Sequence, residues 1–416
     1  MSAPSQYHPR EKNRMLRRLA VASVVFTAAC AGQQKTDSAE NGGKPQSTEE
    51  RVRIGNQPAF DVATCFPRDL KLPPSNQGVL VGAMLTARPA VLECLVSPKS
   101  RGTAEKTVVT VKTTVTDAGA THAVSGDANL TPEGQQCIQA AVDKLVKPQP
   151  LAKGAAPVES TATFEHDTTN SATVTFGLND GSDFSGEVRL AQQGWCDCYT
   201  GYQASTPPVL TSKVTLTKGQ ATPEVTFDPS GSTEGDQLAA CLKQKMLALP
   251  AKSSMDKLTY PHRFVHFNSS ATQPADNLDP QLRFFQLEVV RNQRAADAAI
   301  AFGARAAAAE AFDATVAKYN KTKDFKLLDQ LTATCNAMVD AAKGWVSALE
   351  AQKAVDEDSV TLVQQLKATD AEGWAPVETA SQTALTNTQQ DLATAQARVD
   401  ADQKACPKVS YNPKKK

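Results

Sequence analysis

The chain has 416 residues, with 44 Lys and Arg against 44 Asp and Glu, 41% apolar residues, 6% aromatics and nine cysteines. That length supports two or three modules with modest cores, not one giant domain. Neutrality excludes a basic nucleic-acid binder, the apolar content excludes wholesale disorder, and the one apolar run expected to enter a bilayer, Leu19 to Ala29, is at 11 residues too short to span it.

Residues 1–29 read as an address. Arg14, Arg17 and Arg18 precede the apolar run LAVASVVFTAA, the anatomy of a secretory signal, and Met15 is a second candidate start. Ala28 and Ala29 immediately before Cys30 resemble the lipobox of bacterial lipoproteins, which implies that Cys30 is lipidated and becomes the new N-terminus. Thr27 stands where that family carries Leu. The competing reading is an ordinary cleaved signal with an unrelated cysteine. Ala31 after the cysteine is similar to the enterobacterial signal for the outer membrane. Removing residues 1–29 removes five basic residues and one acidic residue, leaving 39 against 43, a net charge of −4. Residues 30–58 are polar and rich in Gly, Ser, Gln and Glu, a composition expected of a flexible tether.

The next 210 or so residues hold the same plan twice, in modules bounded at 59–167 and 168–272. Period-two placement of Val and Leu with Thr predicts a strand ending at a Gly turn, over Lys106 to Gly119 and again over Thr211 to Gly219. A second short strand follows at Thr121 to Ser125 or Glu224 to Phe227. Next comes a helix, TPEGQQCIQAAVDKLV or TEGDQLAACLKQKMLAL, which runs into Pro148 or Pro250. Thr131, Pro132 and Glu133 suit a helix start, combining a capping hydroxyl, a first-turn proline and a carboxylate at the positive dipole end. A last strand, VESTATFEH or LTYPHRFVH, places Phe164 and His166 where the second copy has Phe264 and His266. This order of elements resembles the C-terminal domain of TonB and its relatives in myxobacterial gliding-motility proteins. The resemblance covers residues 65–167 and 171–270. It implies small α+β modules that bind other proteins, often by offering a sheet edge to an added strand. The long Pro-rich span of TonB itself is missing from this sequence.

From Leu278 the composition turns to Ala, Gln, Asp and Lys, and eleven of the seventeen residues from Ala295 to Ala311 are Ala. The pattern predicts three helices within residues 276–407, at about Pro280 to Tyr319, Phe325 to Ala368 and Val377 to Ala405. Leu328, Leu331, Cys335, Met338, Ala342, Trp345 and Leu349 alternate steps of three and four, while Leu385, Leu392, Val399 and Cys406 recur every seven. This is a coiled-coil seam. With a turn from Asp370 to Pro376, antiparallel partners have residue numbers that total roughly 740 to 746. The helices are expected to project and offer faces to a partner. Residues 408–416, ending in Lys414, Lys415 and Lys416, read as a solvated basic tail, or as a weak attraction to anionic lipid or peptidoglycan.

With Cys30 lipidated, eight cysteines remain for an oxidising compartment. Equal spacing of 43 residues suggests Cys94 with Cys137 and Cys198 with Cys241; hairpin geometry suggests Cys335 with Cys406. Cys65 and Cys196 remain, and pairing them would tie the two modules together. Cys196 and Cys198 could alternatively be a redox pair. Trp195, Tyr199 and Tyr202 could hold glycan or peptide, against which stands plain core packing. His262 and His266, four apart on a strand, read as surface residues, and His122 and His166 as partly exposed ones. No Gly-rich phosphate loop, G-x-S-x-G elbow or H-E-x-x-H is present in the sequence, and no metal or cofactor is expected.

The expectation is therefore an α+β protein of two tandem modules followed by an all-α antiparallel hairpin or three-helix coiled coil. It is read as a lipid-anchored, non-enzymatic interaction or scaffolding subunit with envelope proteins as partners. The alternatives are an envelope ligand-binding protein and a thiol oxidoreductase using Cys196 and Cys198.

Overall fold

A computed structural model describes residues 59–60, 65, 68, 70–102, 104, 106–167, 184–200, 209–253, 256–265 and 278–406. The signal run, Cys30, the tether to residue 58, Tyr202, His266 and the basic tail lie outside the described residues. In chain order the elements are β1 (Ala59–Phe60), α1 (Gln77–Val96), α2 (Pro98–Arg101), β2 (Lys106–Thr116), β3 (Gly119–Gly126), α3 (Pro132–Leu145) and β4 (Val158–Asp167). They continue with α4 (Phe184–Gln192), a short 3₁₀ turn (Cys196–Tyr199), β5 (Val209–Thr217), β6 (Glu224–Phe227), α5 (Thr233–Leu247) and β7 (Lys257–Val265). The chain ends on α6 (Pro280–Thr322), α7 (Leu327–Lys367) and α8 (Ala371–Ala405).

The repeat read from the sequence is a structural repeat. In each module two antiparallel strands meet at a glycine turn, a helix follows, and the last strand returns to the far side of the first: the orders are β3-β2-β4 and β6-β5-β7. Gly119 and Gly219 hold φ of 119° and 80° at the two turns, backbone that side chains with a Cβ resist. Along β2, Val109, Val111, Thr113 and Val115 face inward and are fully buried, as period two requires. Capping follows the sequence as well. Thr131 Oγ1 accepts from Gly134 N at 3.2 Å to start α3, and Ser232 Oγ accepts from Gly235 N at 3.0 Å to start α5.

Each module also has a leading helix that the sequence reading does not mark, and in the first, α1, hydrophobic periodicity is absent. α1 is long and apolar enough to cross a membrane by length and composition, which corrects the expectation that Leu19 to Ala29 is the one candidate. In the fold, 72% of its apolar window is buried. Val79, Ala83, Met84, Ala87 and Val91 pack on the first sheet with Val109, Val111, Ile138, Val142 and Phe164. The opposite side of α1 meets α6. A Cβ on Gly78 would lie 2.9 Å from Gly303 Cα, and one on Gly82 would lie 2.8 Å from Ala296 O, so the glycines permit backbone contact between the helices. Asn76 caps α1 through Val79 N at 3.1 Å and donates to Gly303 O at 2.8 Å, and Arg68 pairs with Asp297 at 2.9 Å. A helix surrounded by protein shows no polar face.

One boundary shifts. β1, which sequence division assigns to the first module, pairs in parallel with β7 of the second, Ala59 opposite Phe264 and Phe60 opposite Val265. Cys65 packs against the second module's core. The helices do not simply project: α6, about 65 Å long at 1.5 Å per residue, docks its Ala-rich middle on α1, and only its distal part runs beyond that contact.

Within the helical part the seam on α7 is as expected, with Leu331, Cys335, Met338, Ala342, Trp345 and Leu349 at most 4% exposed. The turn comes earlier, between Lys367 and Ala371, and Pro376 is the sixth residue of α8, where its missing N–H leaves one i→i−4 bond unmade. The register nevertheless holds: Ser359 faces Ser381, and Thr388 donates to Asp356 at 2.7 Å. On α8 the deepest line is not 385, 392, 399 and 406, which are half-buried, but Trp374, Ser381, Thr388, Ala395 and Asp402. That line also recurs every seven residues. Its polar members are paired: Ser381 meets Ser359, Thr388 bonds Asp356, which also binds Arg291 at 2.9 Å, and Arg305 grips Asp402 in a two-pronged ion pair at 2.9 and 2.5 Å.

Candidate functional site at the open edge of the first sheet

The four cysteine pairs occur as bonds: Cys94–Cys137, Cys198–Cys241, Cys335–Cys406 and Cys65–Cys196, with Cα separations from 4.9 to 5.9 Å. The two 43-residue spans do the same job, fastening the module's leading segment to its second helix. Cys196 and Cys198 are each bonded elsewhere and not to one another.

Between the modules, α1 and α4 bury a charged junction. Glu93 receives Arg189, Lys99 pairs with Glu187 at 2.8 Å, and Gln193 donates to Ala90 O at 3.3 Å. His262 lies within this layer, only 2% exposed, with Ser185 Oγ at 3.3 Å from Nδ1. Desolvation, together with the nearby Arg189 charge, lowers its pKa to about 3, so the imidazole is neutral. His166 is 4% exposed. Both histidines thus depart from the surface reading, because each stands on the inward-facing side of its strand, beside Phe264 or Phe164. His122 is half-buried between Thr113 Oγ1 at 3.0 Å and Val146 O at 3.1 Å, and burial lowers its pKa. Among the described residues no three His, Cys, Asp or Glu side chains converge as a metal site would require. Trp195 and Tyr199 are core residues, 6% and 3% exposed, packed with Val188, Leu242 and Phe264.

The open surface lies at the sheet edges. Strand edges present unpaired N–H and C=O groups, and folded proteins cover or blunt them. β3 is covered by side chains: Gln135 and Gln139 of α3 donate to Val124 O at 2.8 Å and His122 O at 3.3 Å. β6 is only four residues long. β7 is covered by β1 at its end, over Phe264 and Val265. β4 is different, because it runs for ten residues and among the described residues no second strand pairs with it. Its exposed face carries Glu159, Thr161, Thr163 and Glu165. Lys112 binds Glu159 at 2.9 Å and Lys106 binds Glu165 at 2.7 Å, and the Lys112 contact holds the Glu159 carboxyl below its usual range. Those pairs neutralise the carboxylates that would otherwise repel an incoming backbone. β4 is the counterpart of β7, so among the described residues the same position in the fold is filled over Phe264 and Val265 in one module and has no paired strand in the other.

The strand itself is legible in the sequence; its being the open edge is not, since β1 and the two glutamines leave no local pattern. No protein-family model, curated protein or solved structure matches the chain.

Proposed function

We propose that this protein is a lipid-anchored lipoprotein of the cell envelope, attached through Cys30, that acts as a non-enzymatic interaction or scaffolding subunit with TonB-C-like modules. The observation that carries the reading is the pairing of β1 with β7, while among the described residues no strand takes the equivalent edge of β4. The fold accepts an extended segment at this edge in parallel, and β4 offers the equivalent edge, around Phe164 and Glu165, to a segment of a partner protein. Main-chain hydrogen bonds would supply the affinity and alternate side chains the specificity. Four cysteine bonds support an oxidising compartment, and the run before Cys30 supports export and acylation. Peptidoglycan is a further candidate contact in that compartment.

A photocrosslinking residue at Thr163 on β4, compared with one at the equivalent Arg263 on β7 beside the stretch that β1 covers, tests the interaction in intact envelopes. Discrete protein adducts are expected from β4 alone; equal labelling at both strands, or none, overturns strand addition. Cys30→Ser tests the anchor, which fails if that variant still partitions wholly with membranes.

A further inference from the structure

The turn joining α6 to α7 exposes an aromatic ring that the helical core does not use. Phe325 is 73% exposed, while its neighbour Leu327 is buried at 8%. The turn is not loose. Lys323 takes left-handed backbone at φ 53° and donates N–H to Tyr319 O at 2.7 Å, Asp324 Oδ1 accepts from Lys326 N at 2.9 Å, and Leu328 N donates to Phe325 O at 3.1 Å. Phe325 is therefore held outward by a turn that several hydrogen bonds fix. Around it stand Lys318, Lys321, Lys323 and Lys326, all exposed, with Asp324 the one acid in residues 318–326, a net charge of +3. Lys323 Nζ lies 5.7 Å from the Tyr319 ring centre and 3.3 Å from Asn320 Oδ1. Among the described residues no carboxylate forms an ion pair with these four lysines.

We propose that this tip docks on the anionic phospholipid surface of a bilayer, with Phe325 entering the interfacial layer and the four lysines facing headgroup phosphates. Area favours lipid over protein. One Phe buries on the order of 200 Å², against roughly 800 Å² per partner in a stable protein interface. A single aromatic ringed by ammonium groups is, by contrast, sufficient at a lipid interface, where each Lys adds about a fivefold gain in partitioning on an anionic leaflet. The tip stands at the stapled end of the bundle, where Cys335, Cys406, Leu328 and Tyr319 pack together, so the docking element is rigid. The proposal is independent of strand addition at β4 and of acylation at Cys30.

The full chain carrying Phe325→Trp tests it, because native Trp195, Trp345 and Trp374 are buried at 6%, 3% and 2% and report little from outside. With vesicles of brominated phosphatidylglycerol the introduced indole is expected to be quenched; with brominated phosphatidylcholine it is not. Each Lys→Gln at 318, 321, 323 or 326 should raise the vesicle concentration for half-quenching about fivefold. No quenching on anionic vesicles overturns the proposal, as does equal quenching on neutral ones or after all four lysines are replaced. A photocrosslinker at position 325 that yields a protein adduct in intact envelopes, with the indole unquenched on vesicles, assigns the tip to a protein partner and overturns it too.

Discussion

Arg189 of α4 places Nη1 3.1 Å from both carboxylate oxygens of Glu93 on α1, and both side chains are buried, at 4% and 6% exposure. This pair joins the second module to the first across the junction that also holds His262. Glu93→Ala leaves a buried guanidinium without its counter-charge and should cost about 3–5 kcal/mol in urea unfolding. Replacing both residues together with Leu and Met should cost much less, since the desolvation of two charges disappears with them. Equal losses in the single and double variants would mean that the ion pair does not organise this junction.

The α1–α6 crossing predicts opposite signs for one substitution made at two glycines. A Cβ at Gly303 would lie 2.7 Å from Val79 N and 2.6 Å from Asn76 Oδ1, and backbone cannot yield cheaply, so Gly303→Ala should destabilise by about 1–3 kcal/mol. Gly344 on α7 is exposed, with nothing within 4 Å of such an atom. Gly344→Ala should therefore stabilise by about 0.5–1 kcal/mol through helix propensity alone. Chemical denaturation of both variants checks the contrast.

The neutral, buried His262 makes the fold sensitive to acid. Its folded pKa of about 3 lies below the ordinary 6.5, so the unfolded chain binds a proton that the folded chain refuses in that interval. The contribution is fully present above pH 6.5 and is lost as pH falls towards 3, at about 1.4 kcal/mol per pH unit. His122, also lowered by burial, adds in the same direction. His262→Gln should flatten the fall in Tm between pH 7 and pH 5 relative to the parent, whatever its effect at pH 7.

The Cys335–Cys406 bond closes 71 residues at the open end of the α7–α8 hairpin. In the chain-entropy account a loop of that size contributes about 4 kcal/mol. Cys335→Ala with Cys406→Ala should lower the Tm and fray the bundle first near Leu331 and Phe312, the neighbours of the bond, as read by hydrogen exchange.

How much was legible depends on the range of the interaction that decides each element. Alternation of Val with Thr marked β2 and β5, the Thr131-Pro132-Glu133 start marked α3, and equal spacing of 43 residues marked two cysteine bonds. Those signals are local, or repeat locally. The seam on α7 was readable because its members are apolar. The deepest line of α8 was not, because Ser381, Thr388 and Asp402 are polar and become core only through partners on α6 and α7. Likewise His262 and Trp195 carry the same letters on a surface as in a core, and what covers them comes from segments distant in the chain.

By itself, the sequence determined the repeated strand-turn-strand-helix-strand plan and the three long helices with their antiparallel register, and it suggested the cysteine pairs that the structure forms. Periodicity and spacing act over a few residues, or recur, and so survive in one dimension. Only the tertiary structure decided that α1 is a largely enclosed helix lying between a sheet and α6, that Ala59–Phe60 belongs to the second sheet, and that β4 has no second strand among the described residues. Each of these rests on backbone meeting backbone, at Gly78 with Gly303 or along β1 with β7. Such contacts join groups that every residue carries, and they leave no side-chain pattern to read.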